Sequence, residues 1–364
     1  MTRPSFPSFP GPHRYPPKLR PGDRVAVVSP SWAGPVFFPH VFELGLERLK
    51  TVLDLEPVEY PTTRQAGASP AERAADLNEA WADPDIKAVL ATIGGHDQIK
   101  VLPHLDAETI AGHPKPFLGF SDSTNLLLYL WDLGVVGYHG GGVMAHLARG
   151  GALHPVTLAS LRAALFEGGG GEWELAPVAA MGDEDPDWRD PGSTAREPPM
   201  RPAEPWSWHG PAVRVTGPAW GGSWETIDMH LRVGRWLAEP DAYDGAVLVL
   251  ETSEEQPDAT QLHRSLVAMG ERGFLQRFAA VLHARPKAWS AARPRPVAER
   301  AHYAAEQLAA VLDAVTEYHP GDGDTPGIPV VGNLDLGHTD PQVVVPMGGP
   351  VTVDLVEGRI SLRY

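Results

Sequence analysis

In the segment Gly119-Phe120-Ser121-Asp122-Ser123-Thr124, a serine stands where a short apolar strand runs straight into a helix. A turn that sharp exposes the Ser121 Oγ at the C-terminal edge of a sheet. It also brings the free N–H groups and dipole of the helix N-terminus beside the hydroxyl, where they favour an oxyanion. The same residues equally fit an N-cap at an ordinary strand-to-helix turn. Ile93-Gly94-Gly95-His96-Asp97 closes a second apolar run. Gly95 lets the backbone approach a ligand there, so its N–H is a candidate oxyanion donor; a plain tight turn is the alternative. Val249-Leu250-Glu251 ends a third strand on a carboxylate, and Gly337-His338-Thr339-Asp340 sets an imidazole in a turn. A solvated Glu and an ordinary loop His remain the other readings. Yet a hydrolytic triad needs a nucleophile, an imidazole base and a carboxylate that orients the base. Ser121, Glu251 and His338 supply one of each, at strand ends or turns, in the order Ser, acid, His.

Other patterns carry less. His139-Gly140-Gly141-Gly142 looks like the oxyanion segment of lipases, but it follows Ser121 instead of preceding it. A lipase elbow also needs Gly where this chain has Ser123. No GxGxxG follows a strand and opens a helix, so no dinucleotide fingerprint is met. The 15 His include no HExxH, and His139 and His146 are not flanked by a carboxylate, so no metal site is expected. The absence of Cys excludes disulfides, Cys-ligated zinc, Fe–S clusters and cysteine nucleophiles. A net charge of −16 argues against a nucleic-acid partner, because counterion release needs clustered Lys and Arg. No apolar run is long enough to span a membrane, and the N-terminus lacks a signal-peptide core, so a cytoplasmic enzyme without membrane partner is the expectation.

The elements that must position these residues are readable. Arg24–Ser31, residues 86–95, 117–120 and 135–142 read as strands, with helices near 38–52, 70–81 and 121–134 between them. Ser69 is the expected N-cap of the second helix, with Pro70 at its first position and Glu72 completing a capping box. Strand–helix alternation with continuous apolar runs predicts an α/β fold with a Rossmann-like parallel sheet covered by helices. Length predicts about two domains. Residues 1–17 form a Pro-rich arm, 18–166 a domain carrying the nucleophile, and 213–364 a smaller α/β domain carrying Glu251 and His338, expected as a separate layer. Residues 167–212 between them are rich in Gly, Pro, Asp, Glu and Trp. That stretch is too long for an ordinary connection and too aromatic for a disordered one.

The chain resembles the LD-carboxypeptidases, serine peptidases that include the microcin C self-immunity branch. The matching pieces are LRPGDRVAVVSPS, TIGGHDQ, PFLGFSDST, GPAWGGSWETI, LVLETSEEQPD and VVGNLDLGHTDPQVVVPMGG. The resemblance implies a Ser–Glu–His triad at Ser121, Glu251 and His338, and oxyanion donors at the N–H groups of Gly95 and Asp122. It also implies a β-barrel-like core in the C-terminal domain, a homodimer, and no metal or cofactor. Three features depart from the family pattern. Ser223 stands where Asn is common, Thr252 stands where Asp often follows the acid, and Glu254 and Glu255 stand where the self-immunity branch often carries a basic residue. The last departure argues against a substrate carboxylate binding there.

These residues lead to a serine carboxypeptidase or amidase acting on a small substrate. Two substrate classes remain open: an LD-peptide of murein turnover, and an aminoacyl- or peptidyl-nucleotide of the microcin C type. A catalytically inactive small-ligand-binding protein on the same fold is the alternative. The long 181–209 loop resembles that of the self-immunity branch. Its Trp188, Trp206 and Trp208 are candidate substrate-binding residues, because an indole face stacks on a planar base. Simple pinning of the loop to the domain beneath is the competing role.

Overall fold

The computed structural model describes residues 11–167 and 171–364. The first ten positions of the expected Pro-rich arm lie outside the described residues. The rest of the arm is held down: Arg14 N donates to Gly134 O at 2.8 Å, and Val136 N donates to Arg14 O at 3.0 Å.

Five strands form the N-terminal half of the main sheet: β1 (Arg24–Val28), β2 (Glu56–Glu59), β3 (Ile86–Ala91), β4 (Phe117–Gly119) and β5 (Gly137–His139). They lie in the order β2-β1-β3-β4-β5, all parallel. Nearly every position of β1 and β3 is buried. That is the mark of a parallel sheet with helices on both faces. Two of those helices are α1 (Pro39–Thr51) and α2 (Pro70–Ala82). The capping box of α2 is present: Glu72 N donates to Ser69 Oγ, and Ser69 N donates to the Glu72 carboxylate at 2.7 Å. The helix that follows the GFSDST turn, α3 (Thr124–Asp132), is buried along its whole length.

The C-terminal half adds β6 (Glu172–Glu174), β7 (Ser207–His209), β8 (Arg214–Ser223), β9 (Val247–Glu251), β10 (Ala280–Ala284), β11 (Val330–Leu334), β12 (Val345–Met347), β13 (Pro350–Asp354) and β14 (Arg359–Arg363). Helices α4 (Trp224–Val233), α5 (Ala259–Glu271) and α6 (Val297–Tyr318) connect them. This half was expected as a separate layer, and the structure corrects that. All fourteen strands belong to one sheet, because β12 sits between β5 and β8. It pairs antiparallel with Gly137–His139 and touches β8 through Met347 and Ala219. Without β12, β5 and β8 would each present an open edge, which sheets avoid. A barrel-like core is not seen among the described residues. The first half of β8 instead turns into an open antiparallel ribbon with β13, β14 and β6. No helix among the described residues is long and apolar enough to cross a membrane.

Candidate active site

The chain leaves β4 through Phe120 and turns at Ser121, whose φ is +60°. A non-glycine residue there costs roughly 1–2 kcal/mol and persists only where its surroundings dictate it. They do so here through the next residue. The buried Asp122 carboxylate accepts from Ser31 Oγ, from Gln98 N at 2.9 Å and from Asn125 Nδ2 at 2.8 Å. Asn125 in turn meets His230 of α4 at 2.8 Å, and Thr124 Oγ1 accepts from Ser223 N at 3.0 Å. Burial pushes the Asp122 carboxyl above its usual pKa, against the pull of the Ser31 and Gln98 hydrogen bonds.

The Gly94-Gly95 turn after β3 lies against this elbow. A Cβ on Gly94 would come within 2.8 Å of Ser121 Cβ and 3.2 Å of Asp122 N; one on Gly95 would strike Ser31 Oγ. Gly95 was singled out from the sequence, but Gly94 is the residue pressed onto Ser121. Its signal was the doubled glycine of TIGG.

Glu251 ends β9 fully buried, and His338 follows β11 on a loop. His338 Nδ1–H donates to Glu251 Oε2 at 2.5 Å. Gly337 permits this approach, since a Cβ there would lie 2.9 Å from Glu251 Cβ. Burial of the ring opposes its protonation. The charge and hydrogen bond of Glu251, then the charges of Glu254 and Glu225, outweigh that and push the His338 pKa up to about 9. Phe120 packs against the imidazole with ring centroids 4.9 Å apart. The His139-Gly-Gly-Gly segment is not an oxyanion site. Gly141 N donates to Gln342 Oε1 at 3.1 Å, Gln342 Nε2 donates to Gly337 O at 2.8 Å, and His139 Nε2 meets Leu336 O, so the segment braces the His338 loop.

Ser121 and His338 line one cleft of about 570 Å³. Among the described residues Ser121 Oγ makes no hydrogen bond, and the free face of the imidazole, Nε2, looks toward Glu254 Oε2 at 3.5 Å. Trp188 lines the cleft and meets Phe38 edge-on at 5.5 Å. Trp206 and Trp208 do not line it. They lie beside each other at 6.1 Å, half-buried against the core, with Trp208 in the ladder between β7 and β11. The loop bearing Trp188 is fastened by three consecutive acids. Asp183 pairs with Arg300 at 2.6 Å, Glu184 with Arg300 at 2.7 Å, and Asp185 with Lys287. No group of three or more His, Asp or Glu among the described residues is arranged to hold a metal.

A family model described as the LD-carboxypeptidase N-terminal domain matches residues 25–140, and one described as the LD-carboxypeptidase C-terminal domain matches residues 216–353. The chain belongs to the LD-carboxypeptidase family. The first match contains Gly95, Ser121 and Asp122, and the second contains Glu251 and His338. A Streptomyces coelicolor protein bearing a carboxypeptidase name is 29% identical over 95% of each chain. The Microcin C7 self-immunity protein MccF of Escherichia coli is 24% identical over 80% of this chain and 78% of its own. The solved structure of MccF in complex with aspartyl sulfamoyl adenosine covers 96% of this chain and 98% of its own, at 22% identity and a TM-score of 0.78. An MccF-like protein from Streptococcus pneumoniae, solved with AMP, is 25% identical over 94% of this chain and 99% of its own, with a TM-score of 0.78.

Proposed function

We propose that this LD-carboxypeptidase family member is a serine hydrolase that cleaves an amide bond in a small substrate. The observation that carries the reading is the 2.5 Å contact of His338 Nδ1 with the buried Glu251, in the cleft that Ser121 also lines. His338 Nε2 accepts the proton of Ser121 as Oγ attacks the carbonyl carbon. Glu251 holds the tautomer and stabilises the imidazolium. The N–H groups of Gly95 and Asp122 stabilise the oxyanion. The C–N bond then breaks, the imidazolium protonates the departing nitrogen, and water hydrolyses the acyl ester. The substrate is an LD-peptide of murein turnover or an aminoacyl- or peptidyl-nucleotide. The aspartyl sulfamoyl adenosine of the MccF structure, the AMP of the MccF-like structure, and Trp188 at the cleft support the nucleotide arm.

One observation favours a second reading, an inactive small-ligand-binding protein: the missing hydrogen bond between Ser121 Oγ and His338. A fluorophosphonate probe separates the two. The hydrolase is labelled at Ser121 and loses labelling in His338→Ala. An unlabelled wild-type chain would sink the enzyme reading. Parallel assays of an LD-tetrapeptide and an aminoacyl-sulfamoyl adenosine then decide between the substrate classes.

A further inference from the structure

Most charged groups lining the cleft already have an opposite charge. Asp185 pairs with Lys287, Glu184 with Arg300, and Asp340 with Arg149 at 2.7 Å. The cations are equally occupied: Arg149 also takes Glu197, and Arg196 holds Asp190 at 2.5 Å. Glu254 differs. It lines the cleft half-exposed, and its only ion-pair partner among the described residues is Nε2 of His338. That nitrogen is the one that must take the Ser121 proton.

The geometry points to Glu254 as the receptor for a free α-ammonium group on the residue that carries the scissile carbonyl, which would make aminoacyl compounds, not N-acylated ones, the preferred substrates. This inference rests on the hydrolase reading above. The argument is one of reach. A carbonyl attacked by Ser121 lies next to His338 Nε2, and an α-ammonium is two bonds from that carbonyl. A carboxylate 3.5 Å from Nε2 is therefore placed for the α-ammonium without needing a long side chain. A cation arriving there also replaces the imidazolium as the partner of Glu254 and leaves Nε2 to Ser121. An N-acylated residue offers no such charge. It leaves Glu254 on the imidazole and buries a carboxylate against an amide.

The test uses the full-length chain and two probes, alanyl-sulfamoyl adenosine and its N-acetyl derivative. Binding is measured by titration calorimetry in Ser121→Ala, so that turnover does not interfere. The free-amine probe should bind ten- to a hundredfold more tightly than the N-acetyl probe, the range of one charge-assisted hydrogen bond. Adding Glu254→Gln should shrink that preference to about threefold or less. Equal binding of the probes, binding of neither, or a preference that survives Glu254→Gln would overturn the assignment. A second readout separates recognition from a merely structural role. His338 faces Glu251 at Nδ1 and Glu254 at Nε2; the charge of Glu225 also acts on it, His139 and His146 pack against the same Phe120, and Lys287 and His96, whose charges act on Glu254, line the same cleft. Removing the charge of Glu254 should shift the acid limb of kcat/KM for the N-acetyl probe to lower pH, and an unmoved limb would count against the contact. Failure of the hydrolase reading looks different: wild type unlabelled by fluorophosphonate, with the calorimetric preference intact.

Discussion

Gly94 stands directly against Ser121: a methyl group on it would lie 2.8 Å from the serine Cβ and 2.9 Å from its Oγ. The hydroxyl could rotate away, but the serine Cβ cannot, because Ser121 is held at positive φ by the contacts of Asp122. Gly94→Ala should therefore displace Ser121. Fluorophosphonate labelling should fall at least a hundredfold while the far-ultraviolet circular dichroism stays native. Unchanged labelling would show that the elbow is softer than this packing implies.

The strain at Ser121 can be separated from its chemistry. Ser121→Ala should cut turnover by about four to six orders of magnitude. Ser121→Gly should be equally inactive yet more stable by about 1 kcal/mol, since glycine adopts a φ of +60° without penalty. Denaturant melts of the two variants check this, and a Gly variant less stable than the Ala variant would contradict it.

The pH dependences of rate and stability should oppose each other. His338 must be neutral to act as a base, and its pKa is raised from 6.5 to about 9. Without substrate bound, kcat/KM should climb from pH 7 toward 9. The charged ring favours the folded state, so its contribution to stability is complete below pH 6.5 and fades as pH rises through 9. Glu251→Gln removes the strongest group raising that pKa and should move the rate limb to lower pH while reducing kcat by roughly three to four orders of magnitude. A flat rate between pH 7 and 9 in the wild type would refute the assignment of His338.

Arg300 holds two acids of the loop that carries Trp188, and one of them, Asp183, is buried. Arg300→Met leaves that carboxylate with Arg201 alone, at 3.5 Å. A loss of about 3–5 kcal/mol is expected for a broken buried pair. Arg189→Ala, which severs a solvent-exposed pair with Asp187 in the same loop, should leave Tm nearly unchanged. Comparable Tm losses for the two variants would argue that the loop is not anchored through Arg300.

Trp188 offers the test of the nucleotide arm. Trp188→Ala should weaken adenylate substrates ten- to a hundredfold, the worth of one stacked base, and leave LD-tetrapeptide cleavage nearly intact. An equal loss on both would make the loop a lid only. Trp206→Ala and Trp208→Ala, away from the cleft, should lower Tm without changing that selectivity.

Much of this arrangement was legible in the sequence because local rules governed it. Ser69, Pro70 and Glu72 announce a helix start, and the apolar runs before Ser121 and Glu251 announce strands, since each signal spans only a few residues. The catalytic candidates were legible for the same reason: each closes a strand or sits in a glycine turn. What escaped depends on distant contacts. Nothing in the alternation of Val345–Met347 says that it will pair with Gly137–His139, two hundred positions earlier. Trp188 and Trp206 both stand in the same Pro-rich, acidic stretch of the sequence, yet only Trp188 lines the cleft. That Glu254 makes its ion pair with His338 and with no Lys or Arg among the described residues is a property of the assembled loops, not of its own segment.

The position of β12 has a consequence for the making of the protein. This strand follows the His338 loop and locks it beside β5, two places along the sheet from the strand that delivers Ser121. The strands of the N-terminal half are complete by His139, but the strand that seats the His338 loop beside them comes only at Val345–Met347. The elbow at Ser121 is also tied to Ser223 and His230, which are made after those strands. A growing chain therefore displays Ser121 before it can hold it, and a chain stopped short of Val345 would lack the strand that brings the His338 loop to its place.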